Sequence, residues 1–225
     1  MKQTTMKHPA HLLLACLCAL LLVPACSGGD RQQMLGQLEE LERMNRADSV
    51  MQNDSLAEQL VEYFDRHGTP NERMRAHYIL GRTYADMGEA PAAIAAYLDA
   101  ADCADTTAAD CDYHTLSRIY GQMSGVFYRQ NLMQDYLKCL DNSVYFAWRD
   151  KDTVQALNET AHKILAYSKM NQYQKVVSSF DTIYFSLRKF CGERMAAQFC
   201  SVVFKSLIEM NELEKARYYF DIYER

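Results

Sequence analysis

Apolar residues return along this chain every three or four positions, and no stretch alternates apolar with polar long enough to make a strand. Val176, Val177, Phe180, Ile183, Tyr184 and Leu187 form one such stripe, the spacing that gathers side chains on a single face of an α-helix. Interruptions come regularly, at 67–70 (His-Gly-Thr-Pro), 87–89 (Met-Gly-Glu), 103–112, 149–152 and 191–193. The periodic segments between them are about 14 to 20 residues long, the length of ordinary helices. The pattern predicts an all-α chain of helical hairpins.

The chain also echoes itself. Residues 170–181 read MNQYQKVVSSFD and residues 210–221 read MNELEKARYYFD, with Met, Asn, Lys, Phe and Asp at matching offsets 40 residues apart. Periods of this size mark solenoids, in which one supersecondary unit stacks on the next. The unit is clearest at 77–84, HYILGRTY, followed by Gly88, Ala93, Tyr97 and Ala100. This resembles the tetratricopeptide repeat: a large residue, then L-G-x-x-Y, then A-x-x-x-F, with His77 where that family has tryptophan. The resemblance implies an α-α superhelix in which Gly81 and Ala93 let two antiparallel helices approach while Tyr84 and Tyr97 fill the space around them.

The same register recovers three weaker copies: Phe127, Asn131 and Leu140; then Tyr167, Asn171, Val176 and Phe180; then Leu207, Asn211, Ala216 and Phe220. The turn positions 88, 131, 171 and 211 are 43, 40 and 40 residues apart, against about 34 in the standard repeat. Asn at the turn replaces Gly because both tolerate left-handed backbone. Residues 55–66 read as the second helix of an earlier hairpin whose first helix is 32–46. Residues 32–225 are therefore expected to be one repeat domain of four to five hairpins.

The first residues read differently. Lys2 and Lys7 precede an apolar run, 12–23, that is shorter than the roughly 20 residues a membrane-spanning helix needs. Val23-Pro24-Ala25-Cys26-Ser27-Gly28-Gly29 follows and resembles the lipobox of bacterial lipoproteins. The resemblance implies a signal peptide at 1–25, lipidation of Cys26, a tether at 26–31, and an outer-membrane lipoprotein of the cell envelope facing the periplasm or the cell surface. The stretches RAHYILGRTYADMGEAP and DCDYHTLSRIYGQM are also similar in style to secreted repeat lipoproteins of Gram-negative anaerobes.

Charge narrows the partners. Without residues 1–25, which hold Lys2 and Lys7 and no acids, 22 basic residues face 29 acidic ones, a net charge of −7. That excludes a basic nucleic-acid footprint. Beyond Cys26 the cysteines are Cys103, Cys111, Cys139, Cys191 and Cys200, an odd number. In an oxidising compartment Cys103 and Cys111, which flank one loop, would bridge; the alternative is buried free thiols packing as small hydrophobes. No C-x-x-C and no helical His pair supports a metal site, and no cofactor fingerprint is present. His67, His114 and His162 stand alone, and no serine elbow or phosphate loop occurs. The acidic loop from Asp99 to Asp112 lacks EF-hand spacing. An enzyme is not expected.

The repeat register offers a binding face. In tetratricopeptide folds the first helix of each hairpin lines a concave groove, which here implies Arg75, Tyr78 and Arg82, then Arg118, Tyr128 and Arg129, then Lys169, and finally Lys205. These groove positions hold six basic residues against two acids, Asp86 and Glu209, a sign reversal inside an acidic protein that favours an acidic peptide or a chain carboxylate. Asp followed by Ser or Thr recurs at Ser49, Ser55, Thr106, Thr153 and Thr182. It resembles the acceptor motif of a general O-glycosylation system in some Gram-negative anaerobes, and it is also plain helix-cap chemistry; the loop sites Ser49, Ser55, Thr106 and Thr153 are expected to carry sugar, and mid-helix Thr182 is not.

The functional expectation is a lipid-anchored scaffold that holds a protein or peptide partner in its groove. Alternatives are a sensory module of a signalling system and a glycan-binding lipoprotein of nutrient uptake, for which the single Trp148 is poor material. The last helix, from Glu212, carries Ala216, Tyr219, Phe220 and Tyr223, an apolar stripe expected to pair with another chain or to continue into a longer parent protein.

Overall fold

The computed structural model describes residues 28–223, so the expected signal peptide and Cys26 lie outside the described residues. The described residues form ten helices and no strand. They are α1 (Gly28–Arg46), α2 (Asp54–His67), α3 (Pro70–Met87), α4 (Ala90–Asp102), α5 (Tyr113–Arg129), α6 (Met133–Arg149), α7 (Thr153–Lys169), α8 (Tyr173–Cys191), α9 (Glu193–Glu209) and α10 (Leu213–Tyr223). The chain divides into two units, Met1–Gln37 and Leu38–Arg225. The described part of the first is only the opening turns of α1. That helix begins at Gly28, so residues 28–31, expected as tether, are helical, with Asp30 in the first turn where a negative charge meets the positive end of the helix dipole.

Local signals set the helix ends. Thr69 and Glu72 form a reciprocal capping box on α3, with Pro70 at its first position. Asp112 and Asp152 cap α5 and α7 by accepting from the backbone N–H of Thr115 and Gln155. Within the last four hairpins the turn residue is left-handed: Gly88 (φ 84°), Asn131 (58°), Asn171 (56°) and Asn211 (59°). Asn is among the few residues that visit this region at modest cost, so one backbone device is used four times.

Packing follows the repeat. A Cβ on Gly81 would stand 2.6 Å from Cδ1 of Tyr97, so α3 and α4 can close only because position 81 is bare. Tyr97, Leu140 and Phe180, at the same offset from their turns, are fully buried, whereas Phe220 is 38 % exposed. Each such aromatic or leucine contributes about 1.5–3 kcal/mol when fully covered. His77, in the tryptophan position, is buried on the α2 side, its Nε2 3.0 Å from Oδ1 of Asp65. Tyr84 does not fill space inside the hairpin; its hydroxyl donates to Glu58 of α2 at 2.7 Å.

Hairpins stack through α2 on α3, α4 on α5, α6 on α7 and α8 on α9. The α4–α5 joint, which spans the loop 103–112, is the slightest of these. First helices also meet directly, α3 with α5 and α7 with α9, while α5 and α7 approach one another less closely.

The C-terminal stripe is distributed differently from expectation. Ala216 is buried inside its own hairpin, as Ala93 is, because both sit at the same offset from a left-handed turn. Tyr219 is partly buried and its hydroxyl donates to Asp181 of α8. The exposed apolar residues of α10 are Leu213, Tyr218 and Phe220; the side chain of Tyr223 lies outside the described residues.

Candidate interaction groove

The place where α5 and α7 diverge is a cavity of about 550 Å³. Its wall on α5 is Arg118, Gly121, Gln122, Gly125, Tyr128 and Arg129; α7 supplies Gln155, Glu159, His162 and Leu165, and Tyr136 of α6 closes one end. Of the residues expected in a groove, Arg118, Tyr128 and Arg129 therefore converge here. Lys169 stands at the edge, its ammonium 3.9 Å from the centre of the Tyr128 ring, a cation–π contact.

The other expected residues are placed elsewhere or already engaged. Arg75 makes a two-pronged ion pair with Glu42 of α1, at 2.6 and 2.7 Å. Arg82 is 3.2 Å from Asp86 and 3.5 Å from Asp48, and donates to Gln122 at 3.1 Å. Tyr78 is buried; its hydroxyl accepts from Asn45 at 3.1 Å and lies 3.5 Å from Nε of Arg118. These three tie α1, α3 and α5 together. Lys205 lines a separate hollow with Ser201, Phe204 and Phe220. The excess of six bases over two acids along the groove is thus reduced by one, because Glu42, outside that count, neutralises Arg75, while Arg82 pairs with Asp86, one of the two acids.

Arg118 and Arg129 are not so compensated. Among the described residues neither has a carboxylate at ion-pair distance, although both face a cavity that contains one. That carboxylate is Glu159, only 7 % exposed, which accepts from Gln155 Nε2 at 2.7 Å and faces Nδ1 of His162 at 3.4 Å. Burial also pushes the Tyr136 phenol up to about 12, so it acts there as a neutral hydroxyl.

Glu159, Gln155, His162 and Tyr136 were not among the sequence candidates. The available signal was the pair Gly121 and Gly125 in the interior of α5, where glycine is costly unless something approaches closely. Gly121 is such a place: an added Cβ would stand 2.9 Å from Oε1 of Glu159.

The remaining expectations fall outside this cavity. Cys103 and Cys111 are free thiols in this structure. Their surroundings differ, Cys103 facing Arg73, Asp65 and Asp99, and Cys111 facing Asp112, Asp105 and Asp110. Ser55 and Thr106 are exposed, Ser49 and Thr153 half-buried; Thr153 directly follows the capping Asp152. For metals, the fold assembles a group the sequence did not suggest: His114, Asp150 and Asp152 bring ligand atoms within 4.8 Å of one another. That cluster is braced by the 3.1 Å contact of His114 with Asp150 and sits at the N-terminal ends of α5 and α7, ahead of Arg118 and Gln155.

Comparison with solved structures fixes the class. The chain is similar to a putative kinesin light chain with nearly identical TPR-like repeats from Podosopora anserina, with a TM-score of 0.65 and 14 % identity, covering 85 % of this chain and 93 % of that one. A single-substitution variant of that protein gives a TM-score of 0.64 over the same share. BtubC (BKLC) from P. vanneervenii gives 0.58 at 11 % identity, covering 84 % of this chain and 72 % of that one. The protein is an all-α, TPR-like repeat solenoid. No family model and no curated protein matches the chain.

Proposed function

We propose that the chain is a non-enzymatic scaffold that holds an acidic segment of a partner protein in the cavity between α5 and α7. The observation that carries this reading is the presence there of two arginines, Arg118 and Arg129, without carboxylate partners among the described residues. Guanidinium groups grip carboxylates through paired hydrogen bonds. TPR-like solenoids are in general protein-interaction scaffolds, which agrees with this use. The test is fluorescence anisotropy with acidic and neutral peptides. Acidic peptides should bind more tightly, the advantage should shrink as salt rises, and Arg129→Ala should weaken them. Equal binding of both peptides would refute the reading.

The Val23–Gly29 stretch supports a lipid anchor at Cys26 that holds the scaffold at the cell envelope, on the periplasmic or outer face of the outer membrane. Exposed Leu213, Tyr218 and Phe220 on α10 support a second contact surface, through which two copies associate.

A further inference from the structure

Two opposite charges face the cavity without neutralising each other, and the geometry of α5 sets their separation. Oε1 of Glu159 lies 2.9 Å from the point where a Cβ of Gly121 would be, and Nη1 of Arg129 lies 3.6 Å from the corresponding point of Gly125. Cβ positions four apart on a helix are about 5–6 Å from one another. The buried carboxylate thus lies beside Gly121 and the open guanidinium beside Gly125, positions one helical turn apart on a stretch of α5 with no side chain at 121 or 125. Glu159 holds one good donor, Gln155, and one long contact, His162, whereas an ionised carboxylate has about four acceptor positions. A buried carboxylate with unused acceptor capacity calls for a donor.

We propose that the occupant is a mixed-charge peptide, with an acidic side chain on Arg129 and a lysine ammonium on Glu159. This rests on the groove reading above and adds to it the requirement for a cation. In an extended peptide, side chains two residues apart project to the same side about 7 Å apart, so the spacing Glu-x-Lys matches the two charges.

The experiment compares three labelled peptides on the full chain by fluorescence anisotropy: Glu-x-Lys, Glu-x-Ala, and Glu-x-Lys with its lysine Nε-acetylated. The Glu-x-Lys peptide should bind about tenfold more tightly than the other two, the scale of a desolvated charge-assisted contact. Glu159→Gln, which keeps an oxygen for Gln155, should erase that preference without weakening Glu-x-Ala. Arg129→Ala should weaken both Glu-x-Lys and Glu-x-Ala. Acetylation without effect on the unaltered chain, or a preference that survives in Glu159→Gln, overturns the inference. Absence of binding by every acidic peptide, or indifference to Arg129→Ala, overturns instead the groove reading beneath it.

Discussion

Gly121 on α5 and Glu159 on α7 are complementary: the side chain that the one lacks is the space in which the carboxylate of the other lies, 2.9 Å from where a Cβ would be. The same relation holds between Gly81 and the ring of Tyr97, at 2.6 Å, but the consequences of filling the two gaps differ. At Gly81 the obstacle is a fully buried ring that cannot withdraw. Gly81→Ala should therefore cost about 1–3 kcal/mol through overpacking. At Gly121 the obstacle is the tip of a flexible chain at a cavity wall, and alanine gains up to ~1 kcal/mol in helix propensity. Gly121→Ala should leave stability nearly unchanged while displacing Glu159 and weakening binding. Thermal melts and peptide titrations of the two variants check both halves.

Arg82 and Arg129 should separate stability from binding. The Arg82 guanidinium is held by Asp86 and Gln122, and its side chain is 16 % exposed. Arg82→Ala should lower the melting temperature, because Asp86 keeps its charge after its partner is gone. Arg129 is exposed and, among the described residues, without an ion-pair partner, so Arg129→Ala should leave the melt unchanged and reduce affinity for acidic peptides.

The Tyr97 hydroxyl is buried without a hydrogen-bond partner, and burial holds its phenol far above the usual tyrosine range. An unsatisfied buried hydroxyl costs about 1–3 kcal/mol. Tyr97→Phe keeps the ring that covers Gly81 and removes that cost, so it should stabilise the protein by ~1 kcal/mol and raise the midpoint by about 2–4 °C. Differential scanning calorimetry gives the sign directly.

Alkali should unfold the protein through its buried thiols. Desolvation raises Cys139 from 9.0 to about 12 and Cys200 from 9.0 to about 11. A folded-state value above the unfolded one means that the unfolded chain loses its proton first, so stability is intact below pH 9 and falls as pH rises towards 11 to 12. Midpoints measured across this range should drop, and less steeply in Cys139→Ala than in the unaltered chain. In the native state both thiols should resist iodoacetamide.

For the anchor, Cys26→Ala should leave unprocessed precursor, while the unaltered protein partitions into detergent with acyl chains attached, as stable membrane residence requires more than one chain. Mass spectrometry of the mature N-terminus checks it.

How legible each feature was depends on how local its cause is. The turns at Asn131, Asn171 and Asn211 could be read because left-handed backbone is a property of single residues. Gly81 and Tyr97 could be read because their contact lies within one hairpin, at fixed spacing. The pairing of Arg75 with Glu42 and of Arg82 with Asp48 could not, since those partners come from another hairpin, 33 and 34 residues away. Glu159 escaped for the same reason. Its burial depends on how closely α7 passes Gly121, which the pattern within α7 does not encode. Ala216 and Tyr219 were placed on an outer face because α10 was read alone, without the α8 surface that receives Tyr219.

The slight joint between α4 and α5 has a consequence for how the molecule opens. In a stack where each hairpin touches only its neighbours, stability is a sum of unit and interface contributions, and the weakest interface becomes a fault line. Here that line coincides with the longest break in helix among the described residues, 103–112, bridged by Asn71, which donates to the carbonyl of Asp110 at 2.8 Å and accepts from the backbone N–H of Asp112 at 3.3 Å. Hydrogen exchange should then resolve two cooperative blocks with separate opening free energies, one ending at α4 and the other beginning at α5. The cavity with Glu159 belongs wholly to the second, so the interaction site would survive excursions that unravel the first two hairpins.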